Sequence, residues 1–329
     1  MASLLEVRDL RVAYHSRDGA VSEALAGVSF GLGAGEILGI LGESGSGKST
    51  LAASLLRLFP ANVSIATGTV LFEGRDLFQA GQDELRGIRG KRVSLIFQEP
   101  SVALHPTMRA DQQIKQILTA HGMSGRNTLR ERTREILGAV FPEEVERISR
   151  SYPHQLSGGQ RQRVLIAQAI ACGPSLIIAD EPTAALDPTT QKEILEVFRT
   201  LRKKIGAAMI FITHNPALLA GFADRVLVLY AGRVIEVGPA DVVLTSPMHP
   251  YTRALFQSAP PWPDEEAHAA RAQKLAAIPG DSLPSSLPRI GCRFEPRCPD
   301  RMAVCKEREP VLFSLCKGSA ASCFKYESQ

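Results

Sequence analysis

The run Gly42-Glu43-Ser44-Gly45-Ser46-Gly47-Lys48-Ser49 has glycines at both ends of a short loop, then a lysine and a serine. That spacing suits a phosphate cradle. Glycines let backbone N–H groups close around phosphate oxygens, and a helix that follows presents its positive end. Lys48 is placed to reach the β- and γ-phosphates, and the Ser49 hydroxyl to ligate Mg²⁺. A second group is Asp180-Glu181, two carboxylates closing the apolar run Leu176-Ile177-Ile178-Ala179. Asp180 can there meet the Mg²⁺ held by Ser49, and Glu181 can polarise an attacking water as a general base. An acidic pair after a strand is by itself a solvated turn; the phosphate loop upstream reverses that reading. The third group is Cys292, Cys298, Cys305, Cys316 and Cys323, five of the six cysteines. Four thiolates suit iron–sulfur or zinc, although zinc ribbons usually pair cysteines more closely than this. The alternative is five unligated thiols in a loop-rich tail.

These groups need strands and helices to hold them. The apolar runs Ile37–Leu41, Val93–Phe97, Leu176–Ala179 and Met209–Ile212 read as buried strands with helical patterns between them. Such alternation predicts an α/β protein with a mostly parallel sheet covered by helices. The phosphate loop follows the first strand and precedes a helix predicted over Thr50–Leu58. The Arg-, Gln- and Glu-rich segment from about Thr107 to Ser149 reads as a helical insertion. After Tyr251 the composition changes, and Pro260-Pro261-Trp262-Pro263 and Pro279-Gly280 punctuate a linker near 258–285. A small cysteine-dependent module follows, too short to fold on a core of its own. Cys172, far from the others, reads as a buried structural thiol.

Composition narrows the function classes. The 329 residues suit one large domain or two modest ones, and 44% hydrophobic with 22% charged residues is a globular balance. No apolar run is long enough to span a bilayer. Met1-Ala2-Ser3-Leu4-Leu5-Glu6 lacks the basic and apolar pattern of a secretory signal, so the cysteines are expected reduced and metal is favoured over disulfides. The 38 basic and 34 acidic residues leave a net charge of +4, which argues against a dedicated nucleic-acid binder.

Between the phosphate loop and the acidic strand lies Leu156-Ser157-Gly158-Gly159-Gln160, followed by Gln162-Arg163. In that order the motifs resemble those of the ATP-binding-cassette ATPases, over roughly residues 4–250. The resemblance implies a P-loop NTPase core with a mostly parallel sheet, an antiparallel β subdomain and a helical subdomain at about 100–160. The cassette would span 1–257 and the cysteine-rich module 286–329. It implies that residues 42–49 and Thr50 bind ATP, that Tyr14 stacks on adenine, and that Gln98 touches Mg²⁺ and the attacking water. Glu181 would be the base and His214 would contact the γ-phosphate. Taken singly, Tyr14 reads as core and His214 as structural; order and placement at strand ends carry the inference. Ser157, Gly158, Gly159 and Gln160 would meet ATP held by a second cassette. Asp187, closing Ala184-Ala185-Leu186-Asp187, would join that contact. Ala184 stands where Ser is common and Asn215 where Asp is common; both leave the catalytic atoms in place. One phosphate loop and one signature imply a second ATPase subunit. ATP closes the pair and hydrolysis lets it part.

Ser246-Pro247-Met248-His249-Pro250-Tyr251-Thr252 and Gly291-Cys292-Arg293-Phe294-Glu295-Pro296-Arg297-Cys298-Pro299 resemble the ATPase subunits of bacterial dipeptide and oligopeptide importers. So does Gln98-Glu99-Pro100-Ser101 to Leu104-His105-Pro106, with His105 where Asn is usual. This resemblance implies a [4Fe–4S] cluster on Cys292, Cys298, Cys305 and Cys323, with Cys316 as the spare or, by spacing, the alternative fourth ligand. It implies a peripheral protein on the cytoplasmic face of the bacterial inner membrane. Its partners would be a related second cassette, two transmembrane permease subunits and a periplasmic or extracellular solute-binding protein, with no nucleic acid. Relatives of this group also take up nickel, opines and other small solutes. The reading from another class is a soluble cassette ATPase acting on nucleic acid or ribosomes.

Overall fold

A computed structural model describes residues 3–15, 21–60, 62–258, 278, 280 and 290–327. The chain divides into two compact units. One comprises Met1–Leu32, Ile37–Phe78 and Thr213–Gln329, the other Gly33–Glu36 and Gln79–Ile212.

The first unit opens with β1 (Leu5–His15), β2 (Val21–Leu32), β3 (Ile37–Leu41), α1 (Lys48–Ser54), β4 (Val63–Phe72) and β5 (Arg75–Asp76). β1 pairs antiparallel with β2 and β4, and β5 completes a sheet in the order β2-β1-β4-β5. Leu5, Val7, Leu10 and Val12 of β1 are buried, but the pairing slips between Val7 and Leu10. That bulge breaks the two-residue alternation, so no strand is legible there from the sequence. β3 is buried at every residue and reads as the unbroken apolar run expected of a strand covered on both faces. The helix predicted over Thr50–Leu58 forms two residues earlier and ends sooner. Gly47 leads directly into it, and Arg57 takes a left-handed backbone while the Leu58 N–H turns back to the Ala53 carbonyl at 2.9 Å.

The second unit contains α2 (Gln82–Ile88), β6 (Val93–Ile96), α3 (Pro100–Ala103), α4 (Ala110–Ala120), α5 (Arg126–Val140), α6 (Val145–Arg150), α7 (Gly158–Ile170), β7 (Leu176–Asp180), α8 (Pro188–Ile205) and most of β8 (Ala208–Thr213). β6, β7 and β8 run parallel, with Val93 opposite Leu176 and Leu176 opposite Ala208. β6 stops one residue short of the predicted Phe97, whose ring is exposed. The expected helical insertion is present as α4, α5 and α6. They bury Ile114, Leu118, Ile136, Leu137, Val140 and Ile148 and turn their charged faces outward. In the first turn of α4, buried Gln113 accepts the His105 N–H and donates to the His105 and Met108 carbonyls. His105 joins this knot through its backbone alone, which explains why it can stand where Asn is usual. Cys172 is half-buried rather than buried, because it lies past the end of α7 in the turn toward β7; partial desolvation still pushes its thiol up.

The first unit resumes with β9 (Arg225–Tyr230), β10 (Arg233–Pro239), α9 (Ala240–Thr245) and α10 (Pro250–Ser258). β9 is parallel to β3 and antiparallel to β10. The tail contributes α11 (Val304–Glu307), β11 (Phe313–Ser314) and β12 (Ala320–Ala321). β12 pairs with β10, Glu236 facing Ala321, so the cysteine-rich tail extends the sheet instead of standing alone. Ala321, Cys323 and Tyr326 form a small core with Met248, Phe313 and Leu315. The linker predicted near 258–285 lies outside the described residues, apart from Ser258, Ile278 and Gly280.

His249 is a strongly perturbed base in this unit. Burial lowers its pKa from 6.5 to about 3, against a bond to the Ser322 backbone that pulls upward. Its Nδ1 accepts the Tyr251 N–H at 3.0 Å. Between pH 6.5 and 3 the unfolded chain binds a proton that the folded chain refuses, so stability falls as pH falls through that window. Acidification from pH 7 to 5 is expected to cost about 2 kcal/mol through this group. Thermal unfolding of the parent and of His249→Asn at both pH values checks it: equal losses in the two proteins would dismiss the assignment.

Candidate functional site

The phosphate loop joins β3 to α1 and lies in the first unit. Gly45 and Gly47 have φ of 79° and 105°. At Gly47 a side chain is excluded twice over, by that backbone and by the Ala24 carbonyl, 2.6 Å from where a Cβ would sit. The Ser46 carbonyl accepts the Gly232 N–H at 2.9 Å, which ties the loop to the β9–β10 turn. Lys48 is buried, its Nζ donating to the carbonyls of Gly42 (2.8 Å) and Glu43 (2.9 Å). Ser44, Gly45 and Ser49 are exposed. Tyr14, near the end of β1, is 2.8 Å from the Thr50 Oγ1 through its hydroxyl, so the structure brings it to the first turn of α1.

His214 belongs to the same unit and is exposed just past Thr213. The Asn215 Oδ1 accepts the Ala217 N–H at 3.0 Å and caps the turn Pro216–Leu219. An amide oxygen caps as an aspartate does, so this departure keeps the local structure.

The carboxylates lie in the second unit. Asp180 ends β7 and is nearly buried. Glu181 has φ of 46°, an uncommon conformation for a residue with a side chain, and its N–H donates to the Ile212 carbonyl at 3.0 Å. The Gln98 Nε2 donates to the Glu181 Oε2 at 3.2 Å, so two residues 83 apart in sequence meet here. Ser157 caps α7 reciprocally with Gln160: Ser157 Oγ accepts the Gln160 N–H, and Gln160 Oε1 accepts the Ser157 N–H, both at 3.2 Å. Ser157 and Gly158 remain exposed. A Cβ on Gly159 would lie 2.5 Å from the Thr190 Cγ2, so only glycine lets the start of α7 approach the start of α8 this closely. Asp187 caps α8, accepting from the Thr190 N–H (3.0 Å) and hydroxyl (2.7 Å), and these bonds hold its carboxyl below the usual range. Gln191 pins the loop before it by donating to the Thr183 and Leu186 carbonyls.

Two further residues, Tyr251 and Arg297, reach the phosphate loop. The Glu43 N–H donates to the Tyr251 hydroxyl at 2.8 Å, and the Glu43 carboxylate is held by Arg297. Both lie inside the importer-like stretches, but no local pattern points from them to the loop.

Among the described residues, no group of three or more His, Cys, Asp or Glu side chains is arranged to hold a metal ion. The predicted thiol site is therefore not assembled in this geometry. Its donors are nevertheless neighbours: Cys298, Cys305 and Cys323 each raise the Cys292 pKa, Cys305 also raises those of Cys298 and Cys323, and the Cys292 N–H donates to the Cys305 carbonyl at 2.8 Å. Burial is the larger cause, lifting Cys292 to about 12 and Cys298 to about 11. Four desolvated thiols fit the chemistry of a soft metal but not yet its geometry. No helix among the described residues is long and apolar enough to cross a membrane.

The ABC transporter family matches residues 25–184, and the oligopeptide/dipeptide transporter C-terminal region matches 235–305. A probable peptide ABC transporter ATP-binding protein of Sinorhizobium fredii is 42% identical over 98% of this chain and 95% of its own length. An oligopeptide transport ATP-binding protein of Salmonella typhimurium is 42% identical over 98% of this chain and 93% of its own. Among solved structures, a dimeric ATP-binding cassette in a post-hydrolysis state with ADP and Pi is similar at a TM-score of 0.64 and 30% identity. That likeness covers 72% of this chain and 98% of the other. With its phosphate loop, strand-end carboxylates and capped signature helix on this fold, the chain belongs to the ABC transporter ATPases.

Proposed function

We propose that the chain hydrolyses ATP to power import of dipeptides or oligopeptides across the inner membrane. It works from the cytoplasmic face as a peripheral subunit, with two transmembrane permease subunits, a solute-binding protein and a related second cassette. The observation that carries this is the union in one chain of the cassette with a C-terminal region matching oligopeptide/dipeptide transporters. Residues 1–257 form the cassette and 286–329 the cysteine-rich module, joined through 258–285.

Residues 42–50 bind the phosphates, with Lys48 neutralising charge on the β- and γ-phosphates, and Tyr14 stacks on the adenine. Ser49, Gln98 and Asp180 ligate Mg²⁺. Glu181 takes a proton from the water that attacks the γ-phosphorus, Gln98 orients that water, and His214 contacts the γ-phosphate. Ser157, Gly158, Gly159, Gln160 and Asp187 act on the nucleotide of the second cassette, so hydrolysis requires both chains. Reconstitution with the permease and binding protein in vesicles is expected to show ATP hydrolysis stimulated by peptide-loaded binding protein. Stimulation by nickel and not by peptide would redirect the substrate assignment.

Cys292, Cys298, Cys305 and Cys323 would hold a [4Fe–4S] cluster, each supplying one thiolate to it; the nearness of these thiols supports it. Anaerobically purified protein is expected to carry about four irons with matching acid-labile sulfide. The iron should survive Cys316→Ser and be lost in Cys323→Ser. Zinc, or no metal, would dismiss the cluster and leave the ATPase assignment standing.

A further inference from the structure

Glu43, the second residue of the phosphate loop, is held by three groups. Its N–H donates to the Tyr251 hydroxyl at 2.8 Å, and its carbonyl accepts from the Lys48 Nζ at 2.9 Å. Its carboxylate takes two bonds from Arg297, Nη1 to Oε2 at 2.8 Å and Nη2 to Oε1 at 3.1 Å. Arg297 lies in the tail between Cys292 and Cys298. Its side chain is 5% exposed, against 22% for Glu43, so solvent and salt screen the pair weakly.

The segment carrying Arg297 is docked at three points. The Arg293 guanidinium donates to the Ala231 carbonyl at 2.6 Å and to Glu23 of β2 at 2.9 Å. Phe294 is fully buried, with its ring edge-on to Tyr230 and Tyr251, each at 5.4 Å between centroids. The Arg297 guanidinium also reaches the Tyr230 hydroxyl at 3.4 Å. The end of β9, the start of α10 and the cysteine loop thus form one wall behind the phosphate loop.

A carboxylate in a loop that receives a polyphosphate repels it, and repulsion grows as water is removed. A two-bonded guanidinium both cancels that charge and fixes its direction. We propose that Arg297 is a positioning residue for nucleotide binding, acting through Glu43, so that the C-terminal tail sets the affinity of the phosphate loop. This rests on the reading of residues 42–49 as the ATP site.

The test is the affinity of the full chain for Mg·ATP, titrated with a fluorescent ATP analogue, with thermal unfolding of each variant alongside. Arg297→Ala is expected to weaken binding about tenfold, the scale of one charge-assisted bond. Glu43→Gln should bind more tightly than the parent, because the repelling charge is gone and the Arg297 charge remains. The double variant should recover most of the loss, and Arg297→Lys, a charge without the fork, should fall between. A purely structural role for Arg297 would not give effects of opposite sign at the two partners. Parental affinity in Arg297→Ala, or a double variant no tighter than Arg297→Ala, overturns the proposal. If Arg297→Ala does not fold, a tenfold weakening in Glu43→Gln alone overturns it. Lys48→Ala run in parallel separates the two readings: unchanged binding there removes the phosphate loop as the site, whereas loss there with parental Arg297→Ala removes only the role of Arg297.

Discussion

Glu181→Gln is expected to keep nucleotide affinity and lower kcat by about 10²–10⁴-fold, the range for removing a general base. The substitution preserves shape. Glu181 is held by its N–H on the Ile212 carbonyl at 3.0 Å, which an amide side chain leaves untouched. The Gln98 Nε2 can still donate to the remaining side-chain oxygen where it now meets Oε2 at 3.2 Å. What disappears is the capacity to take a proton. The informative readout is therefore a split, with Kd for ATP unchanged and single-turnover hydrolysis nearly abolished. Normal turnover would remove Glu181 as the base. A fall in both quantities would mean that the strained backbone at φ 46° had been disturbed, and that Glu181 helps shape the site as well as act in it.

The second large effect is at Lys48. Its ammonium is buried and donates to two carbonyls of its own loop, so it is pre-placed at the mouth of the phosphate cradle. On the proposed role, Lys48→Ala removes a charge-assisted interaction with the phosphates, about 1.5–3 kcal/mol, or roughly ten- to a hundredfold in affinity. It also strips a donor from the Gly42 and Glu43 carbonyls, which loosens the loop. Lys48→Arg should not restore binding, because a planar fork cannot occupy the place of a compact ammonium facing both carbonyls. Titration of Mg·ATP against folded variants decides it; parental affinity in Lys48→Ala would refute the phosphate role.

The residues that could be read without a structure share a property: their chemistry is local. The phosphate loop is consecutive, preceded by a fully buried strand and followed by a helix. Its glycine requirement comes in part from positive φ at Gly45 and Gly47 within the loop, and in part from the Ala24 carbonyl packed against Gly47. The Ser157–Gln160 cap and the Asp187–Thr190 cap likewise close over three residues. Asp180-Glu181 announces itself because β7 is apolar on both faces and then stops. By contrast, bulged pairing interrupts the alternation of β1 and β2, so no local pattern marks these strands. The union of the tail with β10 has no local mark either, because β12 is only two residues long and carries no periodicity.

The amino-acid sequence alone determined the family of this protein and the local frame of its motifs: a glycine loop between a buried strand and a helix, and an apolar strand that ends in Asp180-Glu181. Each depends on neighbours a few positions away, so residue type and spacing suffice. Only the tertiary structure decided what stands behind the phosphate loop. Glu43 and Arg297 are 254 positions apart, and Glu43 and Tyr251 are 208 apart. Chain closure over such distances follows from how β9, α10 and the cysteine loop pack, with Phe294 seated against Tyr230 and Tyr251, and no local pattern encodes it.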